Sequence, residues 1–596
     1  MYLSKIKLWN FRKFGTTEPF DLKKPSIDIS LKKGVNVLIG ENDSGKSAII
    51  DAIKLVLKTH AVEWIRPTED DFYKGCKRFR IELFFHFDKA LENGSSTICQ
   101  EEAKNFIEWL GWENDVPFLR LFLDVHKNDK GNIIPSDIKG GVDDEGTQLD
   151  AAARDYLRVT YLKPLRDAAN ELTPKKGSRL SQILKGHSAF KGREDDHPLM
   201  NGFTEFNSSI KKYFDGIDAD DKEIDDKKGK ELKEEVDNYI KTFYDSNEFS
   251  EFNVAQGSLN SILEKLELGI KDGYNLGLGT LNILFMASEL VHLNKKDWSG
   301  IRLGLIEELE AHLHPQAQMK IIESLQLNAD TQFILTTHSP NIGSKIALNN
   351  LIICQGDNAF SMEPRFTKLS KGDYVFLEKF LDATKSNLFF AKGVIFVEGW
   401  SEELFLFAFA RKLKKDGIIS KDLTEAGVSI VNVGSRALSR YSTVFLRQQE
   451  PHMTTPIAVI TDCDIREYER NNDVISKITE ELQAKRSEKI TSLKNKDEQC
   501  LKTFVAPRWT FEYSVLQSCL RKQLIKILKE VHPDGDWSDE NCEQTLADKL
   551  LKRTLDKPEI AIRLANEFDK KDSAVNIDSN DDNLKYLIGA MEHVCN

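Results

Sequence analysis

The sequence predicts an α/β protein of more than one domain, and three observations carry that prediction. Gly40–Ser47, GENDSGKS, sits between an apolar strand, Val35–Ile39, and the apolar helix AIIDAIKLVL. Two later apolar runs, Leu303–Ile306 and Phe333–Thr337, read as buried strands that end in Glu307–Glu308 and in His338. Two more, VIFVEGWSEELF at Val394–Phe405 and IAVITDCD at Ile457–Asp464, are β-branched runs that end in carboxylates. At 596 residues the chain exceeds what one core holds, and three or four cores are expected.

In chain order, Ile6–Phe14 reads as a strand running into a basic turn, and the GxxxxGKS loop follows the next strand. Gly40 and Gly45 let backbone N–H groups turn inward around phosphates, with Asn42 in the same loop. Lys46 neutralises the β/γ oxygens, Ser47 contacts Mg²⁺, and the helix N-terminus adds its dipole. The strand-like stretches RIELFFHF and FLRLFLDV between Phe79 and Asp124 predict an antiparallel β-subdomain. Arg158–Ala168 predicts a return to a core strand and then a basic turn. Thr173–Leu268 is rich in lysine and acids at helical spacing, and its charged run reads as a solvated face.

The nucleotide-binding part resumes at Tyr274–Leu284, YNLGLGTLNIL, with Gly277 and Gly279. Glu307 is expected to hold Mg²⁺ through water and Glu308 to polarise an attacking water. His338 is placed to sense a γ-phosphate. Loop, signature-like glycines, acidic strand end and histidine, in this order, resemble an ABC-type ATPase head. Such heads hydrolyse ATP between two subunits, so one set of motifs implies at least a homodimer. NLGLGT lacks the paired glycines and glutamine of a transporter signature, and so resembles the DNA-associated heads.

In the carboxylate-ended strands, adjacency in a parallel sheet would bring Glu398, Asp462 and Asp464 to one edge. Gly399 is expected to allow a sharp turn, and Ser401 to cap a helix carrying Glu402 and Glu403. Glu402 lies one turn beyond Glu398 and can face the same pocket. Crowded carboxylates repel unless a divalent cation holds them, and oxygen-only donors suit Mg²⁺ or Mn²⁺.

Composition narrows the function classes. No apolar run approaches the roughly 20 residues of a spanning helix, and no signal peptide is expected. Eight scattered cysteines, none in a C-x-x-C pair, indicate neither zinc nor a disulfide framework, and a cytoplasmic location without membrane contact is expected. The net charge of −12 excludes coating nucleic acid by bulk electrostatics, so DNA binding needs local basic patches or metal-bridged phosphates.

A strand ending in EGxSE followed by one ending in DxD resembles the Toprim domain of topoisomerases, primases and a group of nucleases. An ABC-type head followed by a Toprim domain is similar to the OLD (overcoming lysogenization defect) family of ATP-dependent nucleases. NFRKF, IEELEAHLHPQ and RWTFEY at Arg508–Tyr513 carry the same resemblance, while Leu309 stands where relatives usually have proline. The resemblance implies Glu512 as a further metal ligand and Lys557, in LDKPEIAIRLA, as a lysine beside the scissile phosphate. The implied division is an ATPase domain at 1–170 and 269–388, interrupted at 171–268 by a helical, dimerisation-like insertion. A Toprim domain follows at 389–515 and a helical C-terminal region at 516–596.

The implied function is an ATP-regulated DNA endonuclease of anti-phage defence, with one metal activating water and a second stabilising the leaving oxygen. Some family members work beside a UvrD-like helicase and others accompany retron reverse transcriptases, and no residue here selects between such partners. One alternative is a RecF/SMC-like DNA-binding ATPase whose Toprim domain only binds. A topoisomerase or primase is the other, but no separate domain with a nucleophilic tyrosine and no zinc module is legible.

Overall fold

The computed structural model describes residues 1–595 except 17, 62–64, 88, 93–94, 99–102, 115, 164–167, 194–196, 245–248, 253–257, 272, 274–275, 295–299, 329, 382–383, 435–436, 472–473, 479–481 and 571–574. The basic turn expected after Leu162 and the first two residues of YNLGLGT lie outside the described residues.

Alternating apolar residues make Tyr2–Trp9 (β1) a strand with one packed face, and Ile27–Ser30 (β2) pairs with it antiparallel. The next strand, Val35–Ile39 (β3), is buried along its whole length, as a central parallel strand must be. It leads directly into the helix Lys46–Leu57 (α1). Arg78–His86 (β4) and Val116–His126 (β5) complete the core of an antiparallel sheet running β5-β4-β1-β2, extended beyond β5 by short strands. The expected antiparallel subdomain is therefore present.

A second sheet holds the nucleotide motifs. Its strands are Thr160–Leu162 (β6), Leu303–Ile306 (β7), Gln332–Thr337 (β8), Leu351–Gln355 (β9) and Asn358–Ser361 (β10), together with β3. The order is β6-β7-β8-β3-β9-β10, parallel throughout except for the last pair. Because β7, β8 and β3 are consecutive neighbours, Glu307–Glu308, His338 and the GxxxxGKS loop emerge side by side at the carboxyl edge. Between β6 and β7 the chain forms helices at Arg179–Lys185, Pro198–Asp215 (α2), Lys228–Tyr244 (α3), Leu259–Leu263 and Leu278–Leu293 (α4). No residue of α2 is buried, which fits the solvated helical reading of this stretch.

The third sheet is wholly parallel: Gly393–Val397 (β11), Val428–Asn432 (β12), Ile457–Thr461 (β13) and Leu501–Val505 (β14), in the order β12-β11-β13-β14. Its helices include Trp400–Lys415 (α5), Leu482–Lys494 (α6), Phe511–Leu516 (α7), Lys557–Asp569 (α8) and Lys585–Cys595 (α9). Strand alternation splits the sheet's two faces between different cores. Ile395, Val397, Ala458 and Ile460 pack with α5 and the C-terminal helices. Val394, Phe396, Ile457 and Val459 instead join one core with Val37, Ile39 and Leu335 of the nucleotide-binding sheet. The two sheets thus share one packed core there.

Candidate functional site

At the nucleotide motif, Gly45 adopts φ 97°, a left-handed conformation that a side chain would strain, and it caps α1 through backbone alone. A Cβ on Gly45 would also come within 2.3 Å of the Phe14 ring. Lys46 is buried and folds back, donating to the carbonyls of Gly40 (3.0 Å) and Glu41 (2.6 Å) and to Ser44 Oγ (3.3 Å). Burial lowers its pKa, and Cys354, Glu310 and Glu308 oppose that shift. Ser47 Oγ donates to Glu307 Oε2 at 2.5 Å, and Tyr161 Oη donates to Glu307 Oε1 at 2.7 Å. Asn42 is exposed at the loop tip.

Glu308 follows at φ 44°, an uncommon conformation for a non-glycine residue, with its N–H donating to Thr336 Oγ1 at 3.0 Å. Burial lowers the pKa of His338 and Lys46 adds to the effect, so the ring favours its neutral form. Glu310 was not singled out by the sequence. It accepts from the His338 N–H at 2.5 Å and from Thr337 Oγ1 at 2.8 Å, fixing the end of β8. Its one sequence signal is a third carboxylate in the run EELE. Gly277 caps α4, and a Cβ on Gly279 would meet the His312 carbonyl at 2.5 Å. The signature-like helix thus packs against the loop that follows the two glutamates. Leu309 is fully buried in the same loop.

The second cluster lies at the carboxyl edge of the third sheet, where β11 and β13 are adjacent and parallel. Glu398 ends β11 and accepts from Thr461 Oγ1 at the end of β13. Asp462 and Asp464 follow on β13. Asp464 is held at φ 60°, with its N–H donating to the Trp509 carbonyl at 3.0 Å. Thr510 caps α7 by accepting from the Tyr513 N–H, which sets Glu512 in the first turn. Glu512 Oε1 accepts from Ser401 Oγ at 3.0 Å and Oε2 accepts from Lys557 Nζ at 2.9 Å. Lys557 is the first residue of α8, which packs along α5.

Two local expectations are corrected. Ser401 does not cap α5, because the helix starts at Trp400 with Gly399 as its cap and the Ser401 hydroxyl turns to Glu512. Gly399 makes no sharp turn, since its backbone is extended at φ −150°. Glu403 is set apart from the cluster by accepting from Asn432 Nδ2 at 2.9 Å.

Electrostatics bind the cluster together. Burial, then Glu512 and Glu398, raise Glu402 to about 7, with Lys557 opposing. Burial, then Glu402 and Glu512, push Asp462 well above the ordinary carboxylate range. Burial works to raise Glu512 as well, but Lys557 overcomes it and holds Glu512 low. Tyr586 on α9 joins the cluster without any motif in the sequence to mark it. Among the described residues its buried hydroxyl has no hydrogen-bond partner, and its pKa is raised by burial and then by Asp462, Glu402 and Glu512.

Among the described residues no three of these side chains close on one point as a finished cation site. The donor chemistry nonetheless fits a hard divalent ion. All the donors are carboxylates, and burial with mutual repulsion raises the pKa of Glu402 and Asp462, a cost that a bound cation would offset.

Comparison with known proteins bears on the two domains. Residues 1–117 and 160–342 match the family described as AAA ATPase domain. Residues 389–464 match the family described as overcoming lysogenization defect protein-like, TOPRIM domain. The chain is 24% identical over 567 residues to endonuclease GajA of Bacillus cereus (strain HuB5-5), covering 79% of this chain and 78% of that protein. It is 24% identical over 418 residues to the retron Vc95 probable ATPase of Vibrio cholerae, covering 60% of this chain and 75% of that one. Among solved structures, an Smc head bound to the C-winged helix domain of ScpA aligns over 61% of this chain and 97% of its own at 16% identity, with a TM-score of 0.32. No helix is long and apolar enough to cross a membrane among the described residues. With a P-loop ATPase sheet and a parallel sheet ending in EGxSE and DxD on one chain, this protein belongs to the OLD family of ATPase–Toprim proteins.

Proposed function

We propose that this chain is an ATP-regulated, divalent-cation-dependent DNA endonuclease of anti-phage defence. The supporting observation is the convergence of Glu398, Glu402, Asp462, Asp464 and Glu512 with Lys557 at one sheet edge. The reaction is hydrolysis of a backbone phosphodiester. Water oxygen bonds to phosphorus, the opposite P–O bond breaks, and the departing oxygen takes up a proton, leaving one phosphate end and one hydroxyl end.

When bound, Mg²⁺ or Mn²⁺ would lower the pKa of water and offset charge on the departing oxygen. The protein's part is to hold the acidic donors in place. Glu398 and Asp464 line an open cleft, while Glu402 and Glu512 lie behind them in the interior. Lys557 reaches the cluster from α8 and would offset charge building on the phosphate. A Toprim domain that only bound DNA would have no use for burying Glu402 and Glu512 together, since the charge cost is large without a function for them.

At the other site, Lys46 would release the loop carbonyls to face the β/γ-phosphates, and Ser47 with Glu307 would hold Mg²⁺. Glu308 would orient the attacking water and His338 would contact the γ-phosphate. Gly277 and Gly279 would close over the loop of a second copy, making a homodimer the working unit. The anti-phage-defence reading follows the GajA and retron relatives, and a UvrD-like helicase or retron reverse transcriptase as partner follows the resemblance to the OLD family.

Incubating supercoiled plasmid with the protein and Mg²⁺ or Mn²⁺ tests the reading. Nicked or linear DNA is expected. Relaxed closed circles would indicate a topoisomerase, and unchanged DNA a binding protein.

A further inference from the structure

The cleft beside Asp464 has an acidic wall and a basic wall. Its volume is about 470 Å³, and Glu398, Asp462 and Asp464 face Lys489, Leu493 and Lys496 across it. The basic wall is α6 with the turn that follows it. No residue of α6 is buried, so core packing does not account for its lysines. From Lys485 to Lys496 there are five cations and one carboxylate, in a chain of net charge −12. The two acidic residues that come next are engaged elsewhere: Asp497 accepts from the Thr503 N–H at 2.7 Å, and Glu498 pairs with Lys368.

The helix is held in place rather than left loose. Arg486 pairs with the buried Glu467 at 2.5 Å, and α6 packs against β14. Lys489 lies on α6 and Lys496 in the turn that follows it, and both line the same cleft. Both lysines are exposed, and among the described residues neither forms an ion pair with a carboxylate.

Resting on the nuclease reading, we propose that Lys489 and Lys496 form a phosphate rail that holds the DNA backbone across the cleft, next to the phosphodiester to be cut. They are positioning residues, and they act on the binding of substrate rather than on the bond that breaks. The acidic wall repels DNA by itself, and the rail offsets that repulsion where the chain as a whole cannot.

The test compares wild type, K489Q/K496Q and K494Q. Lys494 is the last residue of the same helix and does not line the cleft. DNA affinity is read by fluorescence anisotropy in EDTA over a salt series, and plasmid cleavage is then followed with Mn²⁺. Losing two phosphate contacts should lower the slope of log affinity against log salt by about 2. KM for DNA should rise at least about tenfold with kcat within about threefold, while K494Q keeps the wild-type slope and KM. Calorimetric Mn²⁺ binding and ATP hydrolysis should be unchanged in K489Q/K496Q. A wild-type slope and KM in the double variant, an equal loss in K494Q, or no DNA binding by wild type each overturns the rail. If wild type cuts DNA and the double variant matches it, the rail fails and the nuclease reading stands. If wild type binds through the rail without cutting, the nuclease reading fails and the rail stands.

Discussion

Lys557 Nζ donates to Glu512 Oε2 across 2.9 Å, and that one cation answers three acidic groups, since Asp462 and Glu402 also feel its charge. Glu512 is 2% exposed. The pair is therefore the counter-charge that holds the pKa of Glu512 low while those of its neighbours Glu402 and Asp462 are raised.

Lys557→Met should reduce DNA cleavage by about a hundredfold or more, the scale of losing one electrostatic stabiliser, and leave ATP hydrolysis near wild type. Stability should fall by about 1–2 kcal/mol, less than for a fully buried pair, because the Lys557 side chain is 42% exposed. Lys557→Arg keeps the charge and should retain part of both. Cleavage at the wild-type rate in Lys557→Met, with only the melting temperature lowered, would make the pair structural alone.

The raised carboxyls predict a pH dependence of the metal-free protein. Glu402 faces Glu512, Glu398 and Lys557, and Asp462 faces the same groups with Tyr586 nearby. Glu402 goes from 4.5 in the unfolded chain to about 7 when folded. Between those values the native state holds more protons than the unfolded state, so stability falls as pH rises. For Glu402 alone the full effect is on the order of 3 kcal/mol. In EDTA, Glu402→Gln should therefore match wild type near about pH 4.5 and exceed it above about pH 7. Mg²⁺ should stabilise wild type more at the higher pH. The measurement is thermal melting of both proteins across that range, and equal curves at every pH would refute the prediction.

The nucleotide site predicts opposite effects on the nuclease. Lys46→Ala removes the charge facing the phosphates and should abolish ATP hydrolysis. Glu308→Gln should bind ATP without turnover and hold the closed state. The two sheets share one core through Val394, Phe396, Val37 and Leu335, and Gln355 on β9 bonds to Thr455 just before β13. The two variants should therefore shift DNA cleavage in opposite directions, as a ligand with different affinity for two states does. Identical cleavage by both, with and without ATP, would uncouple the domains. Normal turnover in Glu308→Gln would mean that the roles of Glu307 and Glu308 are exchanged.

Much of this arrangement was legible because it is local. A β-branched run followed by a carboxylate states both the strand and the edge where its side chain emerges, which is how Glu398, Asp462 and Glu307 were found. Glu512 and Lys557 lie far along the chain on helices with ordinary patterns, and only the resemblance to OLD proteins pointed to them. Glu310, Tyr161 and Tyr586 were missed for the same physical reason. Each acquires its role from a tertiary neighbour: the end of β8, the Glu307 carboxylate, or the acidic cluster. Ser401 departs from the cap that helix-start preferences favour because its hydroxyl turns toward the buried Glu512 carboxylate.

The last prediction separates the carboxylates by position. Glu398 and Asp464 end different strands and both face the cleft, so each should be needed to hold a cation against the charge of DNA. Asp464 also sits at φ 60°, a conformation the chain keeps through the bond to Trp509. Glu398→Ala or Asp464→Ala should remove DNA cleavage and keep ATP hydrolysis near wild type, because the P-loop lies on another sheet. Glu403→Ala should cut nearly as wild type, since Glu403 turns to Asn432 and supports the end of β12 instead. Ca²⁺ in place of Mg²⁺ should give little or no cutting, its looser coordination suiting in-line geometry less well. Plasmid cleavage and phosphate release on the three variants, measured side by side, decide the matter. Full cutting by Asp464→Ala, in a preparation free of contaminating nuclease, would end the assignment of this cluster as the nuclease site.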